Sequence, residues 1–209
     1  MSSVLTQPAA ILSEDATFWD RLGIGGRREK RLISAAVNGD RNAFDSLMRD
    51  YQQGLRGYLH RRVGPHAVDD VLQDTLLAAW SSIARYKSSW RFKAWLYGIA
   101  THKCADYFRS RGALSAETTL EGVEETAVGS FEDQSDTRHR IKQAIDALPD
   151  VQRDIIELYY YGDLNLNEIA VATGRNLNTV KYHFYRGHEA LGRDLTDDEL
   201  DTAARNLRR

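Results

Sequence analysis

Apolar residues recur every three to four positions along most of this chain, and almost nowhere do they alternate singly with polar ones. That spacing predicts α-helices and no sheet. In the first block, Asp40 is placed to cap a helix reaching about His60, with Phe44, Leu47, Met48, Tyr51, Leu55, Tyr58 and Leu59 on one stripe. Gly64-Pro65 interrupts the pattern. A second helix is predicted over about 66–85, its stripe running Val68, Val71, Leu72, Thr75, Leu76, Ala79, Trp80 and Ile83. A third covers about 91–110, with Phe92, Trp95, Leu96, Ile99, Ala100 and Cys104 inward. A second block opens with Ile141, Ala144, Ile145 and Leu148 on one helix. Pro149 separates it from another carrying Val151, Ile155, Ile156, Leu158 and Tyr159, and Gly162 stops that one. The expected fold class is all-α, as two small helical domains.

Between the blocks, Gly112–Asp136 holds seven acids, no Lys or Arg, and few large apolar residues. Such a stretch buries too little surface to offset its ordering entropy, so it reads as a flexible acidic linker. The predicted organisation is an N-terminal extension (1–34), a helical domain (35–111), the linker (112–136), a second helical domain (137–195) and a short tail (196–209).

Lys and Arg total 28 against 30 Asp and Glu, so a uniformly basic nucleic-acid binder is excluded. A locally basic one is not: residues 37–111 carry 12 basic and 7 acidic side chains. The single cysteine, Cys104, excludes a disulfide framework and a multi-cysteine zinc site, and reads as a small buried hydrophobe. No apolar run approaches the length of a membrane span and no secretory signal opens the chain, so a cytoplasmic location without membrane insertion is expected. The six histidines are scattered, and no phosphate loop, HExxH or serine elbow is present. Asp69-Asp70 reads as a solvated helix face. No catalytic activity, cofactor, metal or small-molecule substrate is expected.

Two stretches carry candidate chemistry. Leu166–Leu191 reads as a helix-turn-helix: a short helix over Asn167–Thr173 with Ile169 and Ala170 inward, Gly174 at the turn, Asn176 as the cap of the second helix, and Val180, Phe184 and Leu191 buried on it. Asn178, Lys181, Tyr182 and Tyr185 then face outward, with Arg186 beside them, offering amide, basic and phenolic groups to a DNA major groove. An ordinary helical hairpin is the plainer alternative. The other stretch, Tyr86–Tyr97, interleaves the aromatics Tyr86, Trp90, Phe92, Trp95 and Tyr97 with the cations Lys87, Arg91 and Lys93, and has no acid. This suits a stacking platform for unpaired bases; core aromatics beneath a solvated cationic face would look the same.

The segments GDRNAFDSLMRDY, DDVLQDTLLAAW, RFKAWLYGIATHKCADYFR and LPDVQRDIIELYYYGDLNLNEIAVATGRNLNTVKYHFYRGHEAL resemble the successive motifs of extracytoplasmic-function (ECF) sigma factors, over about residues 38–195. The resemblance implies a first domain that binds core RNA polymerase and the −10 promoter element, partly as unpaired DNA. It implies a second domain that binds the −35 duplex, and an anti-sigma factor as regulator. On it, Tyr86, Lys87, Trp90, Arg91, Lys93, Trp95 and Tyr97 are expected to serve the −10 element, and Asn176, Asn178, Thr179, Lys181, Tyr182, Tyr185 and Arg186 the −35 element. Arg175 and Tyr182-His183 depart from the commoner family pattern, which concerns the −35 preference. The acidic linker is either a spacer or a nucleic-acid mimic in a polymerase channel.

The polymerase contact is expected on the helix over 66–85. At about 100° per residue, Asp70, Gln73, Asp74 and Leu77 fall on one stripe opposite the apolar series. A leucine flanked by carboxylates suits docking onto a basic partner helix, and DDVLQDTLLAAW is the family segment that grips the polymerase clamp. The competing classes are an autonomous helix-turn-helix regulator and an interaction protein that does not read DNA.

Overall fold

The computed structural model describes residues 24–87, 91–117 and 132–195. Among them all regular structure is helical: α1 (Ile24–Val37), α2 (Arg41–Val63), α3 (Val68–Ser82) continued by a 3-10 turn (Ile83–Arg85), α4 (Phe92–Glu117), α5 (Glu132–Asp146), α6 (Asp150–Tyr160), α7 (Leu166–Thr173) and α8 (Leu177–Asp194). The chain divides into two compact units, Met1–Leu47 and Met48–Arg209.

In the first unit, α1 lies partly within the stretch read as an N-terminal extension; its charge run Arg27–Arg31 hides a short apolar face. Gly39 closes the helix at φ +93°, and the Asp40 N–H donates to the Ala35 carbonyl. Asp40 then caps α2 as expected, its Oδ1 accepting from the Ala43 N–H at 3.1 Å.

In the second unit, α2 ends at Gly64 with φ +79°. Leu55, Tyr58 and Leu59 of α2, Val68, Val71, Leu72 and Ala79 of α3, and Phe92, Leu96, Tyr97, Ala100 and Cys104 of α4 are buried. Tyr58 and Thr101 share a hydrogen bond at 3.1 Å, and the Thr101 hydroxyl donates to the Tyr97 carbonyl. Thr75, the one polar member of the α3 stripe, satisfies its hydroxyl on the Val71 carbonyl. Cys104 is buried, and burial pushes its thiol up to about 11, which suits packing and not nucleophilic chemistry.

Helices α6, α7 and α8 form the second group, with Ile155, Ile156, Leu158, Leu164, Ile169, Ala172, Val180, Phe184 and Leu191 inside. Pro149 separates α5 from α6 as expected, and sits as the N-cap of α6. Gly187 lets α8 approach α6, since a Cβ there would lie 3.0 Å from Ile156. Tyr159 is only half-buried; Tyr160 takes the inward place. The expected linker lies mostly outside the described residues, but its two ends are helical, because α4 runs on to Glu117 and α5 begins at Glu132. The tail 196–209 lies outside them entirely.

Helix α7 starts one residue before its expected boundary and carries a full capping box. Asn165 Oδ1 accepts from the Glu168 N–H at 3.0 Å, and the Asn165 N–H donates to Glu168 Oε2 at 2.9 Å. Asn165→Ala removes one half of this exchange. It should cost about 1 kcal/mol, read as a fall of about 2–4 °C in melting temperature, with the helical content at 20 °C unchanged.

Candidate polymerase and nucleic-acid interfaces

On α3, the buried residues Val68, Val71, Leu72, Thr75 and Ala79 define one side. Asp70, Gln73, Asp74 and Leu77 occupy the other, all exposed, Leu77 at 59%. Asp69, beside them in sequence, is bound by the Arg56 guanidinium. The doublet Asp69-Asp70 is thus an exposed face with one ion-paired member, and no cluster able to hold a metal occurs among the described residues.

The helix-turn-helix is present in full. Gly174 ends α7 in the left-handed region at φ +64°, and Asn176 caps α8 by accepting from the Asn178 N–H. Of the two small residues in α7, Ala172 is the buried one and Ala170 is half-buried. Asn176, Asn178, Thr179, Lys181, Tyr182, Tyr185 and Arg186 are all exposed. Arg186 shares Glu189 with Arg193, at 3.0 and 2.8 Å, and these hydrogen bonds hold the Glu189 carboxyl below its ordinary value. Such surface pairs exchange readily, so Arg186 remains available to a phosphate. Lys181 has no ion-pair partner among the described residues.

The stretch 86–97 is arranged differently from a free platform. Trp90 lies outside the described residues. Lys87 is exposed. Tyr86, Phe92 and Trp95 stack on one another at 5.2–5.5 Å between ring centroids. Tyr97 is a correction: it is 2% exposed, packs on Tyr58, and its phenol is pushed up by burial, so it cannot meet a base without leaving the core. The i, i+2 spacing from Trp95 to Tyr97 turns the second ring to the opposite side of a helix, which is why aromatic counting misplaced it. Arg91 meets Glu168 at 3.5 Å. The Lys93 ammonium donates to the Asp163 carbonyl at 2.7 Å and to its carboxylate at 3.0 Å.

Several residues that organise this region were not singled out from sequence. Arg62 of α2 is bound by Glu157 at 2.6 Å and Asp154 at 2.8 Å, both on α6. Arg61 lies over the Tyr161 ring at 4.2 Å. A Cβ on Gly98 would lie 2.9 Å from the Ala172 carbonyl oxygen, so only glycine lets α4 and α7 touch this closely. The capping pair Asn165-x-x-Glu168 was readable from spacing alone; Arg62 and Gly98 act through partners distant in the chain and left no local signal.

An exposed stripe on α3 and a helix-turn-helix, with only helical regular structure among the described residues, fit a transcription initiation subunit of the sigma-70 type. The family models agree: Sigma-70 region 2 matches residues 47–113, and Sigma-70, region 4 matches residues 138–191. The chain is 33% identical over 181 residues to the ECF RNA polymerase sigma factor SigD of Mycobacterium tuberculosis, covering 79% of this chain and 83% of that one. It is 29% identical over 185 residues to the ECF RNA polymerase sigma factor SigW of Bacillus subtilis, covering 80% and 97%. Its fold is similar to that of the sigma factor RpoE from Bartonella quintana, solved with the anti-sigma factor NepR, at a TM-score of 0.62 and 24% identity over 74% of this chain and 98% of that one. It is also similar to CnrH, solved with the cytosolic domain of CnrY, at a TM-score of 0.60 and 24% identity over 79% and 95%. The chain belongs to the ECF sigma factors. It binds core RNA polymerase and promoter DNA and directs promoter-specific initiation.

The seating of α8 carries a titratable group. His188 Nε2 meets the Tyr160 hydroxyl at 2.7 Å and its ring packs on Phe184. Burial holds the imidazole below its ordinary 6.5. The unfolded chain therefore takes up this proton first, so stability is complete above about pH 6.5 and is lost as pH falls towards the folded value. Glu157, raised by burial, contributes a slope of the opposite sign, so the informative quantity is a difference. Between pH 7 and 5, His188→Gln should lose less melting temperature than the parent chain; equal losses would assign the acid sensitivity elsewhere.

Proposed function

We propose that residues 35–111 form the polymerase-binding and −10-reading domain and residues 137–195 the −35-reading domain. The observation that carries this reading is α8. One side is core, and six of the seven expected DNA residues stand on the other, with Asn176 capping its start, in a helix-turn-helix capped at both junctions. Lys181 and Arg186 supply phosphate contacts and orientation, while Asn178 and Tyr182, on the first exposed turns, read base edges. On α3, Leu77 supplies the buried anchor and Asp70, Gln73 and Asp74 its polar surround, against a basic helix of the polymerase clamp. At the −10 element, Lys87, Arg91 and Lys93 serve the backbone of the opened strand, and Trp90 with the Tyr86–Trp95 cluster serves its bases.

The chain works in the cytoplasm, without catalytic activity of its own. An anti-sigma factor holds it inactive, a reading that the complex of RpoE with the anti-sigma factor NepR supports.

Run-off transcription with core polymerase tests the whole reading, and two variant sets test its parts. Asp74→Arg with Leu77→Arg should leave the melting temperature nearly unchanged, since neither side chain is buried. It should weaken core polymerase binding at least tenfold, or about 1.4 kcal/mol, while −35 duplex binding persists; full polymerase affinity would move the docking surface elsewhere. Lys181→Ala should lower the salt dependence of duplex binding by about one unit of log–log slope. Asn178→Ala should instead change sequence preference at an unaltered slope.

A further inference from the structure

The basic run of α1 belongs to none of the surfaces assigned above. Arg27, Lys30 and Arg31 are all exposed, and none of the three has an ion-pair partner among the described residues. Arg28 and Glu29, the other charged residues of the run, have contacts of their own. At about 100° per residue, Arg27, Lys30 and Arg31 lie within an arc of about 100°, and the exposed Ser34 falls between them. Cations at i, i+3 and i+4 repel one another along a helix face and cost it stability. An external anion laid along the stripe removes that cost.

The apolar residues of α1 are already covered. Ala36 is buried, and Leu32, Ile33, Ala35 and Val37 are half-buried. Among the described residues, no large exposed apolar side chain belongs to this helix. That narrows the partner. A helix lying in a membrane surface needs a free apolar face beside its cations, and a protein interface is centred on apolar or aromatic anchors. The stripe offers neither. Arg, Lys and Ser side chains without an apolar centre are the set that meets phosphate and sugar. The chain binds promoter DNA, which carries about one charge per 1.7 Å of its axis. Arg27 and Arg31 are about 6 Å apart along α1, so the stripe faces several phosphates at once.

We infer that the α1 stripe is a further DNA contact, one that grips the sugar-phosphate backbone without reading sequence and lies outside both promoter-reading surfaces. Arg27, Lys30 and Arg31 displace counterions from the duplex, so they add affinity and salt dependence and no base preference. The inference uses only the chain's binding of promoter DNA, and it holds whichever residues read the −10 and −35 elements.

The full-length chain and its variants are titrated with a fluorescent random-sequence duplex over a salt range of about 50–200 mM, and their melting temperatures are measured in parallel. Arg27→Gln, Lys30→Gln and Arg31→Gln together should lower the log–log salt slope by about 2–3 units, with no fall in melting temperature. Arg27→Lys with Arg31→Lys keeps the charges and should keep the parent slope. Ser34→Glu is an independent variant. It puts a carboxylate four residues after Lys30 and three after Arg31, where it steadies the helix and repels phosphate. It should weaken duplex binding at least threefold without lowering the melting temperature. An unchanged slope in the triple variant, or full duplex affinity in Ser34→Glu, would overturn the inference. So would a loss of affinity matched by a fall in melting temperature, which would make the stripe a folding element. Weaker capture by vesicles of anionic phospholipid, or weaker core polymerase binding, at unchanged duplex affinity would assign the stripe to a membrane or to a protein and overturn it as well.

Discussion

A guanidinium placed where water hardly reaches must be met by carboxylates, and Arg62 is met by two. Its side chain is 12% exposed, and Glu157 opposite it is 6% exposed. Burial raises the Glu157 pKa, and the Arg62 guanidinium opposes that rise. Removing one partner from such a pair costs about 3–5 kcal/mol, whereas replacing the whole set by apolar residues is often neutral. The cluster therefore does little for net stability and a good deal for register. It fixes which turn of α6 lies against the end of α2, and Tyr161 beneath Arg61, Gly162 beneath Tyr97 and Ala172 on Gly98 follow in step.

That register explains how the molecule combines a stable scaffold with surfaces that stay available. The exposed stripe of α3 and the outward face of α8 belong to helices whose opposite sides pack into the core, so their exposure costs no packing. The 86–97 stretch is different. It sits at the junction of the two halves, and its residues divide between core (Phe92, Tyr97), mutual stacking (Tyr86, Trp95) and ion pairing across the junction (Arg91, Lys93).

The helices, their stripes and the helix-turn-helix were legible in the sequence because each is written in residues three or four apart. Val180, Phe184 and Leu191 are buried as their spacing demands, and Asp70, Gln73, Asp74 and Leu77 are exposed for the same reason. What could not be read is whatever depends on residues far apart in the chain. Arg62 and Glu157 are 95 positions apart, and Gly98 looks like any helical glycine until Ala172 is laid against it. Tyr97 was misplaced because composition over a window records how many rings there are and not the side each one takes. The acidic stretch 112–136 was read as starting where α4 still continues, since small residues such as Gly112 and Ala113 carry no stripe of their own even inside a helix.

Glu168 has two oxygens with separate duties. Oε2 accepts from the Asn165 N–H and completes the start of α7, while Oε1 faces Arg91 across the junction. The two contacts use different oxygens, so the α7 cap does not depend on Arg91. Among the described residues, the hydrogen bonds of Gly174 and Asn176 likewise fall within their own half. The helix caps on the α7–α8 side of the junction are therefore independent, among the described residues, of the ion pairs that cross it.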